Sequence, residues 1–314
     1  MEALVNFAQR KLTNEHLFMI SVLIVNAGNY AYNLILGRLL GPEAFADAAI
    51  LITMLLVLSF IAMTFQLVIA KFTAQLTNEE VDSLVSRSIK ISLSVGVIIG
   101  VSMIIGANYL QSHFNTSTSV MFVLFGIGVP IYFLLSVNRG VFQGRRQFLP
   151  LSITYQGEMI ARFVVTLTLI YLFNIESSII ISLGILISFF VGLFPIKKGL
   201  FSISKIHVNT DLQRKIRTFF LITAFYELTQ IAINNSDILL VKHYFESYEA
   251  GLYASLALIG RVVFFVAWMF VIILLPKVVD RKKLGLSTTT LLFKYVSYIS
   301  ILATAIISLS LIHI

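Results

Sequence analysis

The sequence contains no cysteine, so neither a disulfide nor a thiolate metal site is available to it. Charge is scarce: Asp, Glu, Lys and Arg make up 12% of the 314 residues, where a soluble domain carries roughly 25%. Histidine is sparse too. His16, His113, His207, His243 and His313 are scattered and no two sit at ligand spacing, so no metal or cofactor is expected. A cleavable leader is not expected either: Arg10, Lys11 and Glu15 precede an apolar run long enough to remain as a span. What remains is apolar, with 58% hydrophobic residues. The net charge of +8 would suit nucleic acid in a soluble chain; here the placement of the cations matters more than their sum, and nucleic acid is not an expected partner.

A membrane span needs about 20 mainly apolar residues. Nine stretches qualify, near 17–39, 44–70, 90–110, 118–137, 149–173, 177–196, 217–242, 250–276 and 289–313. The expected fold is an all-α polytopic membrane protein of about nine transmembrane helices. Gly41-Pro42 separates the first span from the second, since Pro suits a first helical position. Asn115, Asn174 and Lys197-Lys198-Gly199 mark other breaks. Thr77-Asn78-Glu79-Glu80 carries a capping-box pattern and predicts that the third helix extends into the cytoplasm.

Charge orients the spans. With the N-terminus inside, the inner segments carry 18 of the 23 Lys and Arg, from Arg10 and Lys11 through Arg139, Arg145 and Arg146 to Lys282 and Lys283. The outer connections hold only Arg38 and Lys242, and Arg162, Arg261 and Lys294 fall within spans. That asymmetry predicts a cytoplasmic N-terminus. Residues 197–216, with five cations and Arg217 directly after them, read as a basic cytoplasmic linker that either touches anionic headgroups or only enforces topology.

The sequence also echoes itself at an offset of 205. Asn29 falls on Asn234, and the acidic turn after Leu40 falls on the one after Phe245. Span one then matches span seven in the same orientation, as in parallel repeats about an axis along the membrane normal. The expected organisation is a six-helix lobe at 1–196, the linker at 197–216, and three helices of a partial second lobe at 217–314.

Three segments carry a resemblance. They are Asn33 to Phe45, with Gly37-Arg38 and Gly41-Pro42-Glu43; Arg139-Gly140-Val141-Phe142-Gln143-Gly144-Arg145-Arg146-Gln147-Phe148; and Asp237 to Phe245, continuing through Glu249 to Ala254. In this order they resemble the polysaccharide, O-antigen type, flippases of the multidrug/oligosaccharidyl-lipid/polysaccharide exporter superfamily. The resemblance implies 12 or 14 helices in two lobes. It also implies movement of undecaprenyl-pyrophosphate-linked oligosaccharide across the bacterial inner membrane by alternating access. The chain departs from the family at Ala46, where Gly is usual, and it ends near the ninth span. A truncated reading frame, short of three to five helices, is the expectation.

Charges inside the lipid zone cost about 2.5–3.5 kcal/mol each on insertion scales, so they face a bundle interior or a cavity. Arg162 lies mid-span with Glu158 one turn before it, and Arg261 lies mid-span in the eighth helix. Asp47, Glu227 and Asp237 are the other intramembrane acids. One reading makes Arg162 and Arg261 the cations for pyrophosphate or acidic sugar, because the guanidinium fork binds phosphate bidentately. Glu158, Asp237, Glu227 and Asp47 then couple transport to protons or sodium. The other makes Glu158 and Arg162 a self-neutralising i,i+4 pair. Asn26, Asn29 and Asn33 share spacing with Glu227, Gln230 and Asn234; Asn29 and Asn234 line a shared path or join helices by hydrogen bonds. Gly96, Gly100 and Gly106 suggest close packing, Pro130 a kink, and Tyr109, Tyr244 and Tyr248 interfacial anchors.

Four functions compete. An ion-coupled multidrug or cation antiporter of the same superfamily relies on carboxylates, against which two intramembrane arginines argue. A membrane enzyme acting on lipid-linked sugars needs an outer catalytic loop, and the outer loops are short. A non-transporting assembly factor fits a truncated chain. The flippase, with lipid-linked oligosaccharide and membrane lipids as partners, fits the cations and the three segments.

Overall fold

A computed structural model describes residues 14–173, 177–200, 210–257, 260 and 287–312. In chain order the helices are α1 (Asn14–Thr73), α2 (Asn78–Ile105), α3 (Ala107–His113), α4 (Val120–Gly144), α5 (Phe148–Leu172), α6 (Ser177–Gly192), α7 (Thr210–Tyr244) and α8 (Thr289–Ile312). Residues 247–257 are helical as well. No strand occurs among the described residues. The expected spans one to seven fall on α1 to α7, and α8 overlaps the ninth. Most of the eighth, and with it Arg261, lies outside the described residues. Residues 1–251 form one compact unit and residues 252–314 another.

α1 is two helices joined at Gly41, whose φ of 74° and ψ of 172° are open essentially to glycine alone. Pro42 disfavours helical backbone at the residue before it, so the pair stops one helix and starts the next. The chain folds back there. Ser21 in the first arm accepts from Gln156 of α5, and Gln66 in the second arm donates to the adjacent Tyr155, at 3.1 and 2.8 Å.

α4 is the central helix of this unit and packs against α1, α2, α5 and α6. Phe122, Phe125 and Phe133 are fully buried along it. It runs unbroken through Pro130. α2 approaches it closely: a Cβ on Gly96 would sit 2.9 Å from Pro130 Cα, and one on Gly126 would sit 2.8 Å from Gly100 O. Gly106 does not share that packing role. It ends α2, its N–H bonding Ser102 O at 2.9 Å. The opposite face of α2 exposes Ile91, Ile98 and Ile105, with Val97 and Val101 beside them. That apolar stripe, at helical spacing, is a lipid-facing surface.

α1, α2 and α4 are each long and apolar enough to cross a membrane. α5 has the length, but Gln156, Glu158 and Arg162 interrupt its apolar run. The expected capping box forms at Thr77, whose N–H donates to the Glu80 carboxylate at 3.1 Å. Tyr109, Tyr244 and Tyr248 are exposed, as anchors at a membrane surface would be.

Candidate functional site

The polar residues of α5 meet α1 and α4 inside the bundle. Glu158 lies between two arginines. Its Oε2 is 2.8 Å from Arg139 Nη2 and its Oε1 is 3.6 Å from Arg162 Nη1. All three residues are buried. Two guanidinium groups and one carboxylate leave the cluster with one net positive charge.

The two arginines are held differently. Arg139 donates from Nε to Thr154 Oγ1 at 3.0 Å and from Nη2 to Thr154 O at 2.8 Å. Its guanidinium also lies 3.8 Å from the Tyr155 ring centroid, a cation–π contact. Arg139 is therefore a strut tying α4 to α5. Arg162 donates from Nη2 to Asn29 Oδ1 at 2.7 Å. Its Nη1 is buried with no hydrogen-bond partner, Glu158 being near but beyond bonding distance. A buried donor left unmade is costly, about 1–3 kcal/mol and more when charged. Arg162 Nη1 thus rests on charge attraction to Glu158 alone, where Arg139 has hydrogen bonds as well.

Asn29 follows a glycine. A Cβ on the preceding Gly28 would meet the flexible end of the Met159 side chain, with Sδ at 2.6 Å, so the glycine leaves that thioether its place between α1 and α5. Tyr32, one turn on from Asn29, hydrogen-bonds Thr166 at 3.2 Å, and its ring lies 5.9 Å from the Arg162 guanidinium. Gln66 joins the second arm to Gln143 at 2.8 Å.

Asp47 belongs to a separate cluster. Its Oδ1 is 3.2 Å from Lys242 Nζ, and its Oδ2 accepts the Ser117 N–H at 2.8 Å. Lys242 also donates to Ser247 Oγ at 2.9 Å and Asn115 O at 3.3 Å. The bridge ties α1, the turn after α3, and α7. Lys242 is not an outer-loop cation: it is 2% exposed at the end of α7. Asp47 is thus engaged in an ion pair, which a coupling carboxylate would have to break.

Glu227 is buried on the α7 face that also buries Thr223, Ile238 and Lys242; α7 packs on α1. Asp237 is exposed. The Asn234 side chain and Arg261 lie outside the described residues. The structure thus brings together Arg162, Glu158 and Asn29 of the expected residues. It adds Arg139, which sequence reasoning had placed in an inner connection because the apolar run of α4 ends near Val137. The polar signal was present in Asn138, which bonds Leu193 O and Pro195 O at 3.0 and 2.9 Å: a buried Asn one residue earlier shows that the helix interior continues.

Among solved structures, an inward-facing multidrug resistance MATE family transporter of the MOP superfamily superposes with a TM-score of 0.63 at 14% identity, over 80% of this chain and 59% of that one. A MATE structure in the bent conformation gives 0.54 at 16% identity, over 83% and 61%. An outward-facing MATE transporter gives 0.54 at 14%, over 93% and 74%. At these identities the likeness is one of fold, and it identifies an all-α, multi-pass membrane architecture. This chain spans 59% of the first of these structures. No curated protein sequence matches it. The model of the family described as polysaccharide biosynthesis protein matches residues 35–308, and the chain belongs to that family.

Proposed function

We propose that the chain is part of a transporter, not an enzyme, that moves undecaprenyl-pyrophosphate-linked oligosaccharide across the bacterial inner membrane for surface polysaccharide assembly. Movement is by alternating access with the N-terminus in the cytoplasm. Residues 1–196 supply one lobe, 197–216 a linker, and 217–314 part of a second. Family membership supports the polysaccharide, and the shared MATE fold supports transport. One observation carries the substrate class: Arg162 is buried in a cluster of net positive charge, its Nη1 ion-paired with Glu158 at 3.6 Å and without a hydrogen bond. Such a group suits phosphate or an acidic sugar and repels the organic cations of the antiporter alternative.

In this reading Arg162, Asn29, Arg261 and Asn234 bind the donor. Glu158 is the coupling carboxylate, because it is the acid paired with Arg162; Glu227, Asp237 and Asp47 stand behind it in that role. The test is Arg162→Gln in the whole protein, with membrane insertion confirmed and surface polysaccharide measured. Loss of polysaccharide at normal insertion is expected. Normal polysaccharide would end the cationic-site reading.

A further inference from the structure

A second cationic feature lies apart from the Glu158 cluster. α2, the second arm of α1 and the start of α7 enclose an open cleft of about 630 Å³. Three arginines line it: Arg87 on α2, Arg214 and Arg217 on α7. All three are exposed, and none forms an ion pair among the described residues. The remaining wall is apolar and includes Phe65, Ile91 and Leu221.

The order along the helices matters. Ile91 follows Arg87 by four residues, and Leu221 follows Arg217 by four, so each pair shares a helix face. On both helices the cation comes first, near the helix start, and the apolar side chain lies deeper in the span. Charge therefore collects at the membrane margin and apolar surface continues inward. Ile91 and Leu221 are also exposed, as a wall lined by lipid chains would be. The volume falls within the range of small-ligand sites, about 300–1,000 Å³, and is far more than a bare phosphate needs.

We infer that this cleft is a phospholipid site. The three guanidinium groups take the phosphate headgroup of an anionic membrane lipid, and one acyl chain lies along Phe65, Ile91 and Leu221. The amphiphile matches both halves of the cleft, where a free anion matches one. This site stands independently of what the Arg162 cluster transports.

Native mass spectrometry of the purified protein in detergent tests it, with dioleoyl phosphatidylglycerol as probe and dioleoyl phosphatidylcholine as the zwitterionic control. Each margin arginine contributes about 1 kcal/mol. The triple variant R87Q/R214Q/R217Q should weaken phosphatidylglycerol binding about 100-fold, and R217Q alone about fivefold. The triple variant K90Q/R146Q/K198Q removes equal charge elsewhere on the same side and should leave binding unchanged. I91W/L221W, which fills the apolar wall and keeps the arginines, should also weaken the lipid. Equal losses in both charge triples would reduce the site to general surface charge and overturn the inference. Displacement of the lipid by equimolar inorganic phosphate would overturn it in favour of a free-anion site. Preferential displacement by undecaprenyl pyrophosphate would assign the cleft to a polyprenyl carrier instead.

Discussion

At the residue scale, two arginines on one carboxylate have different tasks. Arg139 is bonded to Thr154 and Glu158 and stacked on Tyr155. Removing one partner of a buried ion pair costs about 3–5 kcal/mol. Arg139→Ala should lower thermal stability in detergent by that order, and Glu158→Gln should do likewise, since it strands both cations. Arg162→Gln keeps the bond to Asn29 within reach, so it should cost less stability than Arg139→Ala while still abolishing polysaccharide export. Equal melting losses in the two arginine variants would make both structural. The sequence announced Glu158 and Arg162 because four-residue spacing on a helix is visible without a fold. It also announced Asn29, by its place in a polar stripe. Arg139 was hidden, because a cation just beyond an apolar run is written the same way whether it enters water or turns back into the bundle.

At the element scale, the breaks were legible and the depths were not. Gly41-Pro42 signalled the fold-back of α1 through backbone preference alone, and Thr77 with Glu80 signalled the start of α2. Nothing lies within 4 Å of a Cβ built on Gly41, so Gly41→Ala tests conformation without crowding. It should cost about 1–3 kcal/mol, read as a lower melting temperature. Gly28→Leu should act differently: it pushes α1 off Met159 and removes Asn29 from Arg162, lowering export beyond what its stability loss explains. The Asp47–Lys242 bridge was not legible, because its partners are nearly 200 residues apart in sequence and only the packing of α7 on α1 joins them. Asp47→Asn and Lys242→Met should each destabilise, and the double variant should be more stable than the sum predicts. Strict additivity in thermal unfolding would show that the pair contributes nothing.

At the scale of the whole molecule, the positive-inside pattern still sets the expected orientation. The absence of cysteine from these 314 residues makes it easy to examine, because an introduced thiol is the only one among them. With a membrane-impermeant maleimide on intact cells, a cysteine at Ser112 should label and one at Asn209 should not; the reverse result would invert the topology. The share of the fold that sequence showed was the order of the first seven spans, which fall on α1 to α7, since lipid imposes a length and a composition on each. Which faces met could not be read, because a helix buried on several sides has little periodicity to display. The Glu158 cluster has one consequence on this scale. A net charge held in the hydrocarbon feels the membrane potential. Any rocking that carries the cluster along the membrane normal does electrical work, about 2.3 kcal/mol per elementary charge for a full crossing at 100 mV. Glu158 cancels one of the two guanidinium charges and so halves the voltage sensitivity of that movement.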